Sequence, residues 1–183
     1  MRIQKAFRSR KFRYALIKYT VILSVVLLML LFRKQTISII VTIGLILLGS
    51  LSKLYKRFTN HSIGFELITF ITVLFFFSHG FIFGIIAAFI MNVLGFLVNG
   101  RFSTALVVQM VSYILIGLFS LVLHPLDFSV SAKILIVLYN IVSFILFLML
   151  GSNPARGFTI VVNIMVNFFL INHFGLYMLN LLS

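Results

Sequence analysis

Glu66 and Asp127 are the only carboxylate side chains in 183 residues that carry fifteen Lys and Arg and are 62% hydrophobic. Long apolar runs with almost no acid to balance the cations tolerate lipid and other helices, and little else. No stretch is polar enough to form a soluble domain, so the composition reads as a single membrane domain. Cys is absent, which removes disulfides, thiol nucleophiles and thiolate metal sites from consideration.

A spanning helix needs about 20 mostly apolar residues, because the hydrocarbon core is ~30 Å thick and each residue rises ~1.5 Å. Seven segments qualify: Tyr14 to Phe32, Ile37 to Tyr55, Ser62 to Ser78, Phe81 to Asn99, Ser103 to Leu123, Val130 to Leu150 and Gly157 to Leu182. The expected fold is an all-α polytopic bundle. Residues 1–13 form a basic cytoplasmic or interfacial segment and residues 14–183 a single transmembrane helical domain. The connection Ser78-His79-Gly80 is so short that the third and fourth segments could instead belong to a re-entrant hairpin or to one long broken helix, and six spans is the alternative count.

The breaks have local causes. Arg33, Lys34 and Gln35 interrupt the first run, and Lys53, Lys56, Arg57, Thr59, Asn60 and His61 the second; both groups belong at headgroup level. Pro125 and Pro154 mark helix boundaries. Lys and Arg in short loops set orientation. With the N-terminus in the cytoplasm, twelve cations fall inside and only Arg33, Lys34 and Lys133 outside. The C-terminus is then expected outside, in an inner or cytoplasmic membrane.

The cationic N-terminus, with Ile3, Phe7 and Phe12 interspersed, suits anionic lipid headgroups as well as a topogenic anchor. Cations beside a span follow from the positive-inside rule, so nucleic acid is not an expected partner. Leu27 to Phe32 runs into Arg33 with no small-residue cleavage pattern, against a removable signal peptide.

Glu66 lies about one turn inside the third segment, where a lone carboxylate needs a partner or a proton. Arg101 is the preferred partner and Arg156 the second choice, as an ion pair that locks helices or couples movement. Gly80, Gly84 and Ala88 recur every four residues, and Gly95 extends this slim face. The stripe suits close helix packing, or docking of a separate membrane subunit. Asn140, Asn163, Asn167 and Asn172 fall within apolar runs and require hydrogen-bond partners. With His173 they outline a candidate uncharged ligand cavity between helices.

His79, His124, Asp127 and His173 gather near loop level on the outer side, but their spacing is not a metal motif, and Asp127 equally suits an N-cap. Paired carboxylates, HExxH, G-x-S-x-G and P-loop patterns are all missing. Neither an enzyme nor a bound cofactor is expected.

Gly64-Phe65-Glu66-Leu67-Ile68-Thr69-Phe70 through Phe77, followed by Gly80-x3-Gly84-x3-Ala88 and by Asn99-Gly100-Arg101, resembles the paired second and third helices of substrate-binding (S) components of energy-coupling factor transporters. The similarity covers about 40 residues. The rod-shape protein MreD is similar more loosely, through size, hydropathy and short loops. The first resemblance implies a compact bundle that captures a micronutrient and docks on a membrane scaffold subunit driven by ATPases. The chain departs from that family in its additional N-terminal helix and in lacking a clear Ala-x3-Ala motif in the first or second span. The second implies a non-catalytic scaffold that organises partner proteins or lipid.

Overall fold

A computed structural model describes residues 18–19, 21–22, 24, 33–54, 66–99, 104–151 and 156–182. The chain divides into two compact units, Met1–Ile39 and Ile40–Ser183. Most of the first expected span, Tyr14 to Phe32, lies outside the described residues, as do Arg101 and the basic segment 1–13.

Every described element is helical: α1 Arg33–Leu51, α2 Ile68–Ser78, α3 Phe81–Asn99, α4 Ala105–Leu123, α5 Phe128–Met149, α6 Arg156–Leu170, a π turn Ile171–Gly175, and α7 Leu176–Leu182. Among the described residues, five helices are long and apolar enough to cross a membrane: Arg33–Leu51, Phe81–Val98, Ala105–Leu123, Phe128–Met149 and Gly157–Leu182, the last running through the π turn. The described part of the expected span Ser62 to Ser78 is the 11-residue α2, which at ~1.5 Å per residue is only about half the hydrocarbon thickness.

α2 has no polar face, and its residues from Ile68 to Phe76 are all buried. A helix apolar all round belongs inside a structure. Accordingly α3, α4, α5, α6 and α7 all pack against it. It ends where Gly80 adopts φ +89°, a left-handed conformation that a side chain would strain. Gly84 N–H then closes the first turn of α3 onto Gly80 O at 3.1 Å. The turn expected at Ser78-His79-Gly80 is therefore a tight reversal between two antiparallel helices.

Asp127 begins α5 as an N-cap, its Oδ2 accepting from Ser129 N–H at 2.9 Å and Val130 N–H at 3.3 Å.

Around this apolar core, the second unit also turns large apolar side chains outward and holds several amides and hydroxyls inside. Ile43, Leu47, Ile82, Val107, Leu118 and Val161 are exposed. Asn92, Gln109, Ser112, Asn140 and Asn167 are buried. Exposed apolar area on this scale suits lipid. Buried hydroxyls bond back to their own helices, as Ser112 Oγ does to Val108 O at 2.8 Å and Ser120 Oγ to Gly117 O at 2.6 Å.

Candidate functional site

One end of the bundle collects the C-terminal end of α1, the start of α2, the C-terminal half of α3 and the start of α4. There the chain places Lys53, Glu66, Asn92 and Gln109. Lys53 follows α1 by two residues and is expected in the headgroup region; instead it is 1% exposed and points into the bundle. The physical reason is a set of acceptors that replaces its hydration. Lys53 Nζ donates to Asn92 Oδ1 at 2.5 Å and to Gln109 Oε1 at 2.8 Å, and it stands 4.5 Å from the centroid of the Phe96 ring.

Gln109 joins the two opposite charges. Its Oε1 accepts from Lys53, and its Nε2 donates to Glu66 Oε2 at 3.3 Å. Glu66 is 7% exposed, so the carboxylate that the sequence requires to be partnered meets an amide in turn bonded to an ammonium. Asn92 is held in position from its other end, since Nδ2 donates to Ala88 O at 2.8 Å. Both amides thereby present their oxygens to the cation.

A second layer continues the polar chain toward α5. Tyr113 hydroxyl lies 3.2 Å from Thr69 Oγ1, and its ring stacks on Tyr139 at 4.6 Å between centroids. Tyr113 hydroxyl also interacts with Asn92 and Tyr139. Both tyrosines are buried. Side chains from α1's end, α2, α3, α4 and α5 thus form one contiguous polar path inside an apolar bundle.

No family model, curated protein or solved structure matches this chain. The case for function therefore rests on this arrangement of side chains.

Arg101, the preferred partner of Glu66, is outside the described residues, and so is the side chain of Arg156. Of the expected ligand cavity, the structure brings together three members. Asn140 Nδ2 and Asn167 Nδ2 each donate to Asn163 Oδ1 at 3.1 Å, and they also reach Ile136 O and Asn163 O. This is an amide ladder between α5 and α6, with Asn167 Oδ1 buried and without a partner among the described residues. Asn172 and His173 do not join it: both are exposed. They sit in the π turn, where His173 Nδ1 lies 2.9 Å from Phe169 O and the imidazole stacks on the Phe169 ring at 4.3 Å.

The slim face of α3 packs inside the chain. A Cβ on Gly84 would meet the Phe76 ring, and Ala88 is fully buried. A Cβ on Gly95 would stand 2.9 Å from Lys53 Cδ. Gly80 is exposed in its turn with open space around it. At the opposite end of the bundle from Lys53, His79 bonds Ser78 Oγ through Nδ1 at 2.7 Å and stacks on Phe83. His124 stacks on Phe77. Among the described residues no three His, Asp or Glu converge on a point that would hold a metal.

Sequence reasoning misses Lys53, Asn92, Gln109 and Thr69 as one site. Asn92 and Gln109 do stand out as amides in apolar runs, and that signal asks for hydrogen-bond partners; it does not say that one of them is a buried cation.

Proposed function

We propose that this chain is a non-catalytic, multi-pass subunit of the cytoplasmic membrane that binds or transports a solute, the substrate-capture component of a multi-subunit micronutrient uptake assembly. In this reading the chain crosses about seven times, with its N-terminus in the cytoplasm and its C-terminus outside. A membrane scaffold subunit and ATPases would supply the energy, while the basic N-terminus meets anionic headgroups.

The observation that supports it is the burial of Lys53 and Glu66 around Gln109. Ionisable groups inside a spanning bundle are costly, and such groups mark solute and ion pathways. Stability alone is a weak motive for them, since apolar replacement of a buried ion pair is often neutral or stabilising by about 1–4 kcal/mol. The resemblance of residues 64–101 to transporter S components points the same way.

The amide ladder favours a second reading. Asn140, Asn163 and Asn167 bond chiefly to one another and to their own helices, as interhelical adhesion would require. That suits a scaffold of the MreD kind that organises partner proteins or lipid. Native mass spectrometry of protein gently extracted from its own membrane separates the two. A stoichiometric small ligand, or an ATPase-bearing complex, is the outcome expected for a capture subunit. Lipid alone, or a set of envelope-building partners, would favour the scaffold.

A further inference from the structure

Among the described residues, the groups that meet Lys53 Nζ are electron-rich. Asn92 Oδ1 and Gln109 Oε1 aim their lone pairs at one point, the face of the Phe96 ring carries the negative side of its quadrupole toward it, and Glu66 lies one amide beyond. Asn92 cannot readily turn its donor inward, because Nδ2 is engaged by Ala88 O. Gln109 cannot either, because Nε2 is engaged by Glu66. The site is therefore built for a cation with N–H donors, irrespective of whether that cation is tethered.

The tether enters from the edge. Lys53 belongs to the turn Ser52–Leu54 that follows α1, and its stem crosses α3 at Gly95, where a Cβ would meet Lys53 Cδ at 2.9 Å. Five single bonds, with four torsions that swing the head group, connect the ammonium to a backbone outside the spanning helices, so the head group can leave by side-chain rotation. Its departure would leave two inward-pointing amide oxygens without the donor they share, a state strongly disfavoured in a low-dielectric interior. A second cation must then take the place.

We propose that Lys53, Asn92, Gln109 and Phe96 form a primary-ammonium binding site in which the Lys53 side chain is a tethered stand-in for a small amine solute, the two occupying the site by turns. This inference rests on the binding-subunit reading and gives it a ligand class. It also makes Lys53 the group that closes the empty carrier.

The test uses the full-length protein in lipid nanodiscs at constant ionic strength. In Lys53→Ala, n-propylammonium replaces the missing methylenes and ammonium, and it should raise the melting temperature saturably. Tetramethylammonium has the charge but no N–H and should not. Equal responses to the two ions, or a response to sodium alone, would overturn the assignment. Wild-type protein should need a concentration higher by on the order of tenfold or more, because its own side chain occupies the site. There 15N NMR of lysine side chains supplies a readout that survives if the variant fails to fold. Addition of n-propylammonium should convert the Lys53 ammonium from a protected to a solvent-exchanging signal, and a Lys53 signal unmoved at about a hundredfold of the concentration that saturates the variant, or at the solubility limit if no variant folds, would contradict the proposal. A stoichiometric neutral or anionic ligand in native mass spectra, with both ammonium responses missing, would overturn the ammonium class while leaving the capture subunit standing. Missing ammonium responses together with lipid-only spectra would remove both.

Discussion

Gly95 gives Lys53 its route into the bundle: a Cβ at position 95 would lie 2.9 Å from Lys53 Cδ and 3.2 Å from the backbone oxygen of Ser50. The contact of α3 with the end of α1 at Ser50 and the path of the lysine stem are thus one geometric feature. Gly95→Ala should destabilise the protein by about 1–3 kcal/mol, the usual range for overpacking. In a Lys53→Ala background the same change should cost less, with the Ser50 contact remaining. Unfolding of both backgrounds in mixed micelles measures the difference.

Gly84 offers a cleaner separation of packing from docking. The Phe76 ring of α2 occupies the space that a side chain at Gly84 would enter. Gly84→Ala should therefore lower the stability of the isolated protein by about 1–3 kcal/mol, and Phe76→Leu in the same chain should restore part of the loss. A stable Gly84→Ala protein that merely sheds a partner subunit would place this face at an interface.

Within the amide ladder, Asn163 and Asn167 should differ. Asn163 Oδ1 accepts two bonds, whereas Asn167 Oδ1 has no partner among the described residues. Asn163→Leu should cost about 1–2 kcal/mol, and Asn167→Leu less than about 1, because replacing a group already half unsatisfied relieves a buried acceptor. Equilibrium unfolding of the two variants gives the order; the reverse order would mean that Asn167 Oδ1 serves a bound solute.

His79, in the turn between α2 and α3, has its pKa lowered below the usual imidazole value of 6.5 by partial burial. The unfolded chain then binds the proton more readily than the folded one. Stability should be unaffected by this residue above the unfolded value, fall as pH drops below 6.5, and level off once pH is below the folded value. His79→Gln should flatten that part of the profile. An NMR titration of His79 that gives a midpoint above 6.5 would contradict the burial.

Much of the architecture is legible in residue order. Gly80 and Asn99 bound α3 at the expected positions, and α4 and α5 begin within two residues of expectation, because Pro125, Asp127 and the polar stretch near Arg101 are local punctuation. The i, i+4 spacing of Asn163 and Asn167 likewise announces a shared face. Lys53 is not legible, since a cation just past an apolar run reads as a headgroup residue by the same rule that sets topology. Its burial depends on Gln109, 56 positions away, and on the lack of a side chain at Gly95. The π turn at Ile171–Gly175 has no comparable local signal, and it leaves Asn172 and His173 exposed while Asn163 and Asn167 turn inward.

The functional account stands on Lys53 and Glu66 belonging to one buried network through Gln109. A double-mutant cycle with Lys53→Met and Glu66→Gln, read by reversible unfolding in mixed micelles, tests that most directly. The account predicts that each single change is costly and that the pair shows a coupling on the order of 1 kcal/mol or more, insensitive to added salt because both groups are buried. Additive effects, or a coupling that vanishes in high salt, would contradict it.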